Sequence, residues 1–217
     1  MNIRTLSMVA VALMLGHNAA ADDDFWVGVK AGTLGLGVEA AWRPVPYLDI
    51  RGGGNFFSLD EDSSEAGIDY DGELDLQTFY ATANLRVPLS PFRVTAGIFS
   101  NGNEIKLTSR DTGMITVGNT TYPAAAVGQL QVKGDFDNIA PYFGIGFDFR
   151  IFNTLGLIID AGVLRQGSIN IGVTANGALA NDPAFQAELE AERMELQNEV
   201  DDYDIYPVVS IGLSFNF

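Results

Sequence analysis

Three groups of side chains in this sequence have the types and spacing for chemistry. The first is DYDGELD (69–75), in which Asp69, Asp71, Glu73 and Asp75 recur at alternate positions. Hard oxygen ligands so close together suit Ca²⁺ or Mg²⁺. Gly72 and the acidic spacing do not match an EF-hand loop, and a solvated strand would carry the same pattern. The second group is ionic and scattered over short alternating runs: Lys30, Arg43, Arg51, Arg86, Arg93 and Arg150, against Glu39, Asp49, Asp148 and Asp160. Gathered away from water, these would form an interlocked ion-pair network, because a buried charge without a partner is costly. Lining an open path, they would form a charged constriction that selects small solutes. The third is NDPAFQAELEAERMELQNEVDD (181–202), which reads as a helix over about 182–200. Asn181 or Asp182 can cap it, Pro183 suits its first turn, and its glutamates complement the N-terminal dipole. Phe185, Leu189, Leu196 and Val200 form an apolar stripe for packing over neighbouring loops or a central opening, or for binding a partner.

Nucleophilic and acid–base catalysis fare poorly. Cysteine is absent and the one histidine is His17, so a nucleophile–base pair would have to come from carboxylates or lysine. GLGVEAA (35–41) lacks the spacing and context of a phosphate-cradling loop. Asn119-Thr120-Thr121 matches a glycosylation sequon, which is discounted. The reading is therefore non-enzymatic, with no catalytic, cofactor or dedicated metal residues.

His17 falls in a segment that reads as a signal. Arg4 precedes the apolar stretch MVAVALMLG, and Ala19-Ala20-Ala21 offers small residues for cleavage, so residues 1–21 read as a secretory signal peptide. The stretch is too short to cross a membrane as a helix. Its removal takes Arg4 and leaves 11 basic against 28 acidic residues, a formal charge of −17. Such acidity makes nucleic acid an unsuitable partner, since phosphates would be repelled.

Behind the signal, the elements that must position these groups are strands. Eight runs of alternating character cover roughly 25–33, 35–43, 48–58, 74–87, 92–100, 139–150, 155–166 and 205–217. Short turns entered through Arg43, Arg86 and Arg150 separate some of them, and long acidic segments separate others, in the manner of an up-and-down barrel. One parity carries Val27, Val38, Trp42, Ile50, Phe56, Phe79, Leu85, Val94, Ile98, Phe143, Phe147, Ile159 and Val163. The other carries the ten ionic residues among many glycines. Packed inward, the bulky set would overfill an eight-stranded interior, which only just holds side chains. Packed outward against lipid, it leaves a narrow lumen for the charged and small residues, and closure pairs every backbone group. Eight strands leave little room for a continuous aqueous path, which favours the ion-pair network over the constriction.

The final strand ends in VVSIGLSFNF, with Val209, Ile211, Leu213, Phe215 and Phe217 on the lipid parity. It resembles the terminal-phenylalanine signal by which outer-membrane barrels are handed to their assembly machinery. APYFGIGFDF (140–149) likewise resembles a Pro-Tyr-x-Gly-x-Gly strand of small outer-membrane barrels. With the signal and the strand count, the chain after residue 21 is similar to the OmpA/OmpX/OmpW class. No peptidoglycan-binding domain follows the last strand, so the wall-tethering role of full-length OmpA is not expected, and the acidic helix is an addition that the smallest members lack.

The expected protein is thus an all-β, single closed antiparallel eight-stranded transmembrane barrel spanning 22–217, with one amphipathic acidic helix in its last extracellular loop. Both termini would be periplasmic, and Trp42, Tyr47, Phe92, Phe149 and Phe217 would form an interfacial girdle. The leading expectation is a structural or surface-interaction protein of the cell outer membrane. Its partners would be lipid, lipopolysaccharide and the barrel assembly machinery, with divalent cations at the acidic loops. The alternative is a narrow channel for small cationic solutes.

Overall fold

The structure is a computed structural model that describes residues 25–65, 68–110, 113–152, 154–200 and 204–216. The expected signal segment and Phe217 lie outside the described residues. In chain order the elements are β1 (Phe25–Gly32), β2 (Gly35–Val45), β3 (Leu48–Glu65), β4 (Ile68–Arg86), β5 (Phe92–Asn101) and β6 (Glu104–Ser109). The hairpin β7 (Met114–Val117) and β8 (Thr120–Pro123) follows, then α1 (Ala124–Val127) and β9 (Leu130–Asp135). The chain continues through β10 (Ile139–Arg150), β11 (Leu155–Arg165), β12 (Asn170–Ala175), α2 (Pro183–Val200) and β13 (Ile205–Asn216).

β1 to β5, β10, β11 and β13 make the barrel. Each pairs antiparallel with its neighbour, β13 with β1 and β11, and β5 with β10 and β4, so the sheet closes. Closure removes the free edges that a membrane would not tolerate. At one end the connections are tight. Tyr47 and Leu89 adopt φ of 74° and 60° in two of them, next to Pro46 and Pro88, which cannot donate to a ladder. The opposite end carries the long connections.

The alternation in the sequence becomes two unlike faces. Outward-pointing Trp42, Ile50, Phe79, Phe143, Ile211 and Phe215 are exposed, as are Val209 and Leu213. Trp42, Tyr47 and Phe149 stay exposed at the tight-turn end, where Phe92 meets Phe147 with ring centroids 5.5 Å apart. An apolar belt of this extent would be a severe liability in water and is what a bilayer requires. No helix among the described residues is long and apolar enough to cross a membrane; the strands do the crossing.

The long-connection end departs from the expected layout. β3 and β4 run well past the barrel and pair with each other as far as Glu65 and Ile68. Above the point where β5 stops, β4 takes β6 as its partner (Asp75↔Glu104 to Tyr70↔Ser109), β6 takes β9, and β9 takes β12. Segments expected to be acidic loops are therefore an ordered sheet. A second apolar core holds it, made of Ile115, Val117, Val127, Leu130, Phe185 and Leu189.

Helix α2 occupies the expected span and is capped as expected, Asp182 Oδ1 accepting from the N–H groups of Ala184 at 2.9 Å and Phe185 at 3.1 Å. Its stripe packs on neighbouring strands. Phe185 and Leu189 are buried in the second core. Gln197 donates to Ile169 O at 2.7 Å and accepts from Ile171 N–H at 3.1 Å. The acidity of the helix has a local use: Glu188 and Glu192 accept from the N–H groups of Asn119 and Gly118 in the β7–β8 turn, at 2.9 and 2.8 Å.

Candidate functional site: a layered barrel lumen

The ionic residues expected to converge do so. Asp49 on β3 accepts from Arg43 Nε at 2.9 Å and Arg86 Nε at 2.6 Å, with Arg51 Nη2 at 3.4 Å. Asp148 on β10 accepts from Arg51 at 2.7 Å, Arg86 at 2.6 Å and Arg93 at 3.1 Å. Two carboxylates thus each hold three guanidiniums, and the forks of Arg51 and Arg86 link the pair. Arg93 goes on to Asp160 on β11. Higher up, Lys30 lies 3.4 Å from Glu39, which also accepts a 2.6 Å bond from Tyr80 Oη. Planar, multi-donor arginine suits such bridging better than lysine would.

Nine of the ten expected residues belong to these ion pairs. Arg150 is exposed at the rim of β10, outside the buried cage. The acidic stretch at 69–75 lies in β4, above the barrel. Its Asp71 pairs with Arg110, the side chain of Asp69 is outside the described residues, and among those described no group of three or more potential ligands could hold a metal ion.

Neutral partners join the cage, while Glu39 Oε1 and Arg51 Nε and Nη1 stay buried without a hydrogen-bond partner. Arg93 Nη1 donates to Asn84 Oδ1 at 2.9 Å and Thr95 Oγ1 at 2.7 Å, and Arg51 stacks over the Trp26 ring at 4.6 Å. Gly146 makes room: a Cβ there would lie 2.4 Å from Arg93 Cζ. β13, by contrast, brings no charge to the interior, where Ser210, Gly212 and Ser214 face the cage.

Toward the long-connection end the lumen turns apolar. Tyr80 stacks on Phe99 at 4.9 Å and Phe99 meets Tyr142 at 5.1 Å, with Leu34, Leu164 and Val208 around them. Leu34, in the β1–β2 turn, is only 4% exposed. Its turn is fastened to the last strand: Thr33 N–H donates to Val209 O at 3.0 Å, and Tyr206 Oη to Thr33 O at 2.7 Å. Tyr80 and Tyr142 share the inner parity with the ionic residues, but sequence reasoning did not see this plug. The signal was there, as aromatic and branched residues interrupt an otherwise polar parity at one level of five strands.

Between cage and plug remains a cavity of about 30 Å³ lined by Glu39, Arg51, Tyr80 and Asp160 among others. That is room for roughly one or two water molecules.

The architecture is found in proteins of known structure. No protein-family model and no curated protein sequence matches the chain. Solved structures do, among them two from Acinetobacter baumannii. CarO2 of Acinetobacter baumannii is 21% identical and superposes with a TM-score of 0.58, covering 89% of this chain and 98% of that one. CarO of the same organism is 23% identical with a TM-score of 0.57, covering 88% and 97%. At these identities the likeness establishes the fold, and the lipid-facing belt agrees with it: this chain is an eight-stranded β-barrel of the outer-membrane type.

Proposed function

We propose that the protein is a non-enzymatic outer-membrane barrel whose lumen is closed, and which serves as a rigid anchor for the ordered sheet-and-helix unit above it. Both termini and the tight turns face the periplasm, and the unit faces outward as an interaction surface toward lipopolysaccharide or external partners. The last strand carries the pattern for delivery to the assembly machinery. The observation that carries this reading is the layered lumen, in which a cage spanning seven strands lies under an aromatic plug, with space between them for little more than a water molecule. The carboxylates of the cage are engaged by arginine and lysine, which leaves them poor candidates for acid–base work.

The charge of the cage also weighs against a cation path. Five cations (Lys30, Arg43, Arg51, Arg86, Arg93) meet four carboxylates (Glu39, Asp49, Asp148, Asp160) in its ion pairs. A formal excess of one positive charge in a low-dielectric lumen repels cations whatever the acidity of the outer surface. Reconstituted in planar bilayers, the protein is expected to be silent. Stable, cation-selective steps would overturn the closed-anchor reading in favour of the channel.

A further inference from the structure

At the fork where β4 leaves β5 and takes β6, the wall of the molecule holds a polar cavity of about 370 Å³. It falls within the usual range for small-molecule sites, about 300–1,000 Å³. Its lining combines the amides of Asn101, Asn138 and Asn170 with the carboxylates of Glu104, Asp135 and Asp137. The fork is well fixed. Asn101 N–H donates to Asn138 O at 2.9 Å, Gly102 N–H to Gln77 O at 2.8 Å, and Gln77 N–H to Asn103 Oδ1 at 3.0 Å. Asn101 is 4% exposed, and its Oδ1 accepts from Asn103 N–H at 3.2 Å. That bond sets the amide's orientation and leaves Nδ2 buried with no partner in the protein.

We propose that this cavity is a binding site for a neutral sugar. The orphan is a donor, so its partner must bring an acceptor. A metal ion or an ammonium brings none. A phosphate brings acceptors but meets Asp135 and Asp137. An apolar ligand finds little surface here beyond Phe136. Hydroxyl groups both accept, as the asparagine amides require, and donate, as the carboxylates require. Glu104 is already engaged by Lys106 at 2.5 Å and Lys133 at 2.6 Å, and Asp135 lies 3.6 Å from Lys133 Nζ, so Asp137 is the main acceptor left for the ligand. The cavity also lies just beyond the apolar belt, whose last outward members here are Ile98, Phe79 and Ile139. That is the level at which the sugars of a surface glycolipid begin, so the ligand is either a free monosaccharide or a lipid-borne one.

The site deepens the surface-anchor reading, and its test is independent of conductance. The refolded full chain in a detergent without a sugar headgroup is titrated by calorimetry and ligand-observed NMR. The probes are glucose, N-acetylglucosamine and core oligosaccharide released from lipopolysaccharide. Saturable binding is expected in the range of about 1–10 mM or tighter, weakened about tenfold or more in Asn101→Leu and in Asp137→Asn. Retention of the compact, heat-modifiable band on gels would show that both variants are folded. Saturation with the free monosaccharides assigns a soluble sugar, and saturation with the core oligosaccharide alone assigns the glycolipid. Absence of saturation with all three probes, or equal binding by both folded variants and the parent, would overturn the proposal. Binding of putrescine in place of any sugar would do the same.

Discussion

Strands β3 and β4 belong to two regions with opposite rules. Inside the barrel, Ile50 and Phe56 point outward while Arg51 and Asn55 point inward. Above it, Asp60, Glu73 and Asp75 lie on the continuation of the outer face, and Phe57, Leu59, Leu74 and Leu76 on the continuation of the inner one. The ladder between the strands runs without a bulge from Leu48↔Leu85 to Glu65↔Ile68. The reversal is therefore written in side chains alone, at Phe56-Phe57 on one strand and between Leu76 and Phe79 on the other. A backbone geometry indifferent to its surroundings has been sorted by solvent: lipid outside the lower half, water outside the upper. The two regions also cohere differently. The lower is held from within by charge and the upper by a small apolar core beneath α2.

Substitutions that target one region and leave the other intact test this contrast. The largest effect belongs to Asp148→Ala, which strips three guanidiniums of a shared carboxylate. Removing one partner of a buried ion network costs about 3–5 kcal/mol, read as a lowered midpoint of barrel unfolding in denaturant. An unchanged midpoint would mean that the cage does not hold the barrel. Next is Phe185→Ala, which empties the upper core. A loss of about 3 kcal/mol is expected, confined to the unit above the membrane. Protease should then cut within β6 to β9 while the barrel keeps its heat-modifiable mobility, and joint collapse of both regions would contradict their separation.

The smallest effect concerns Glu104, whose carboxyl is held below the usual range first by its bond from Lys106 and then by Lys133. A depressed folded value stabilises fully above the ordinary carboxylate pKa, about 4.3, and fades as pH falls through the depressed one. Amide exchange in β6 and β9 should quicken on acidification through that window, by at most about 1 kcal/mol of local stability. Glu104→Gln should flatten the response, and an unchanged profile in that variant would assign it elsewhere.

The barrel was legible because two solvents acting on one strand leave a period of two, and no side chain on the lipid parity of VVSIGLSFNF (208–217) breaks it. The cage was legible for a related reason. Charged residues on the inner parity of a narrow barrel have nowhere to go but toward one another. Arg150 escaped because parity says nothing of height, and the rim of β10 is open to solvent. The upper sheet was not legible. EIKLTS, LQVKGD and NIGVTA are six-residue runs whose partners lie far away in the chain. β4's share of the ladder, DYDGELD, has the alternation of a solvated strand and is one, but nothing in it points to β6 as its partner. Leu74 and Leu76, out of phase with Phe79, were the signal that the strand continued under new conditions.

The reversal at Phe56-Phe57 also works as a ruler. From Leu48 to Phe56 the lipid-facing part of β3 spans eight residue steps, about 26 Å along the strand, and about 20 Å along the normal at the usual tilt of such barrels. A hull this shallow matches a thin hydrocarbon layer. In thicker bilayers the acyl chains around it would have to compress, so short-chain lipids would be its natural company.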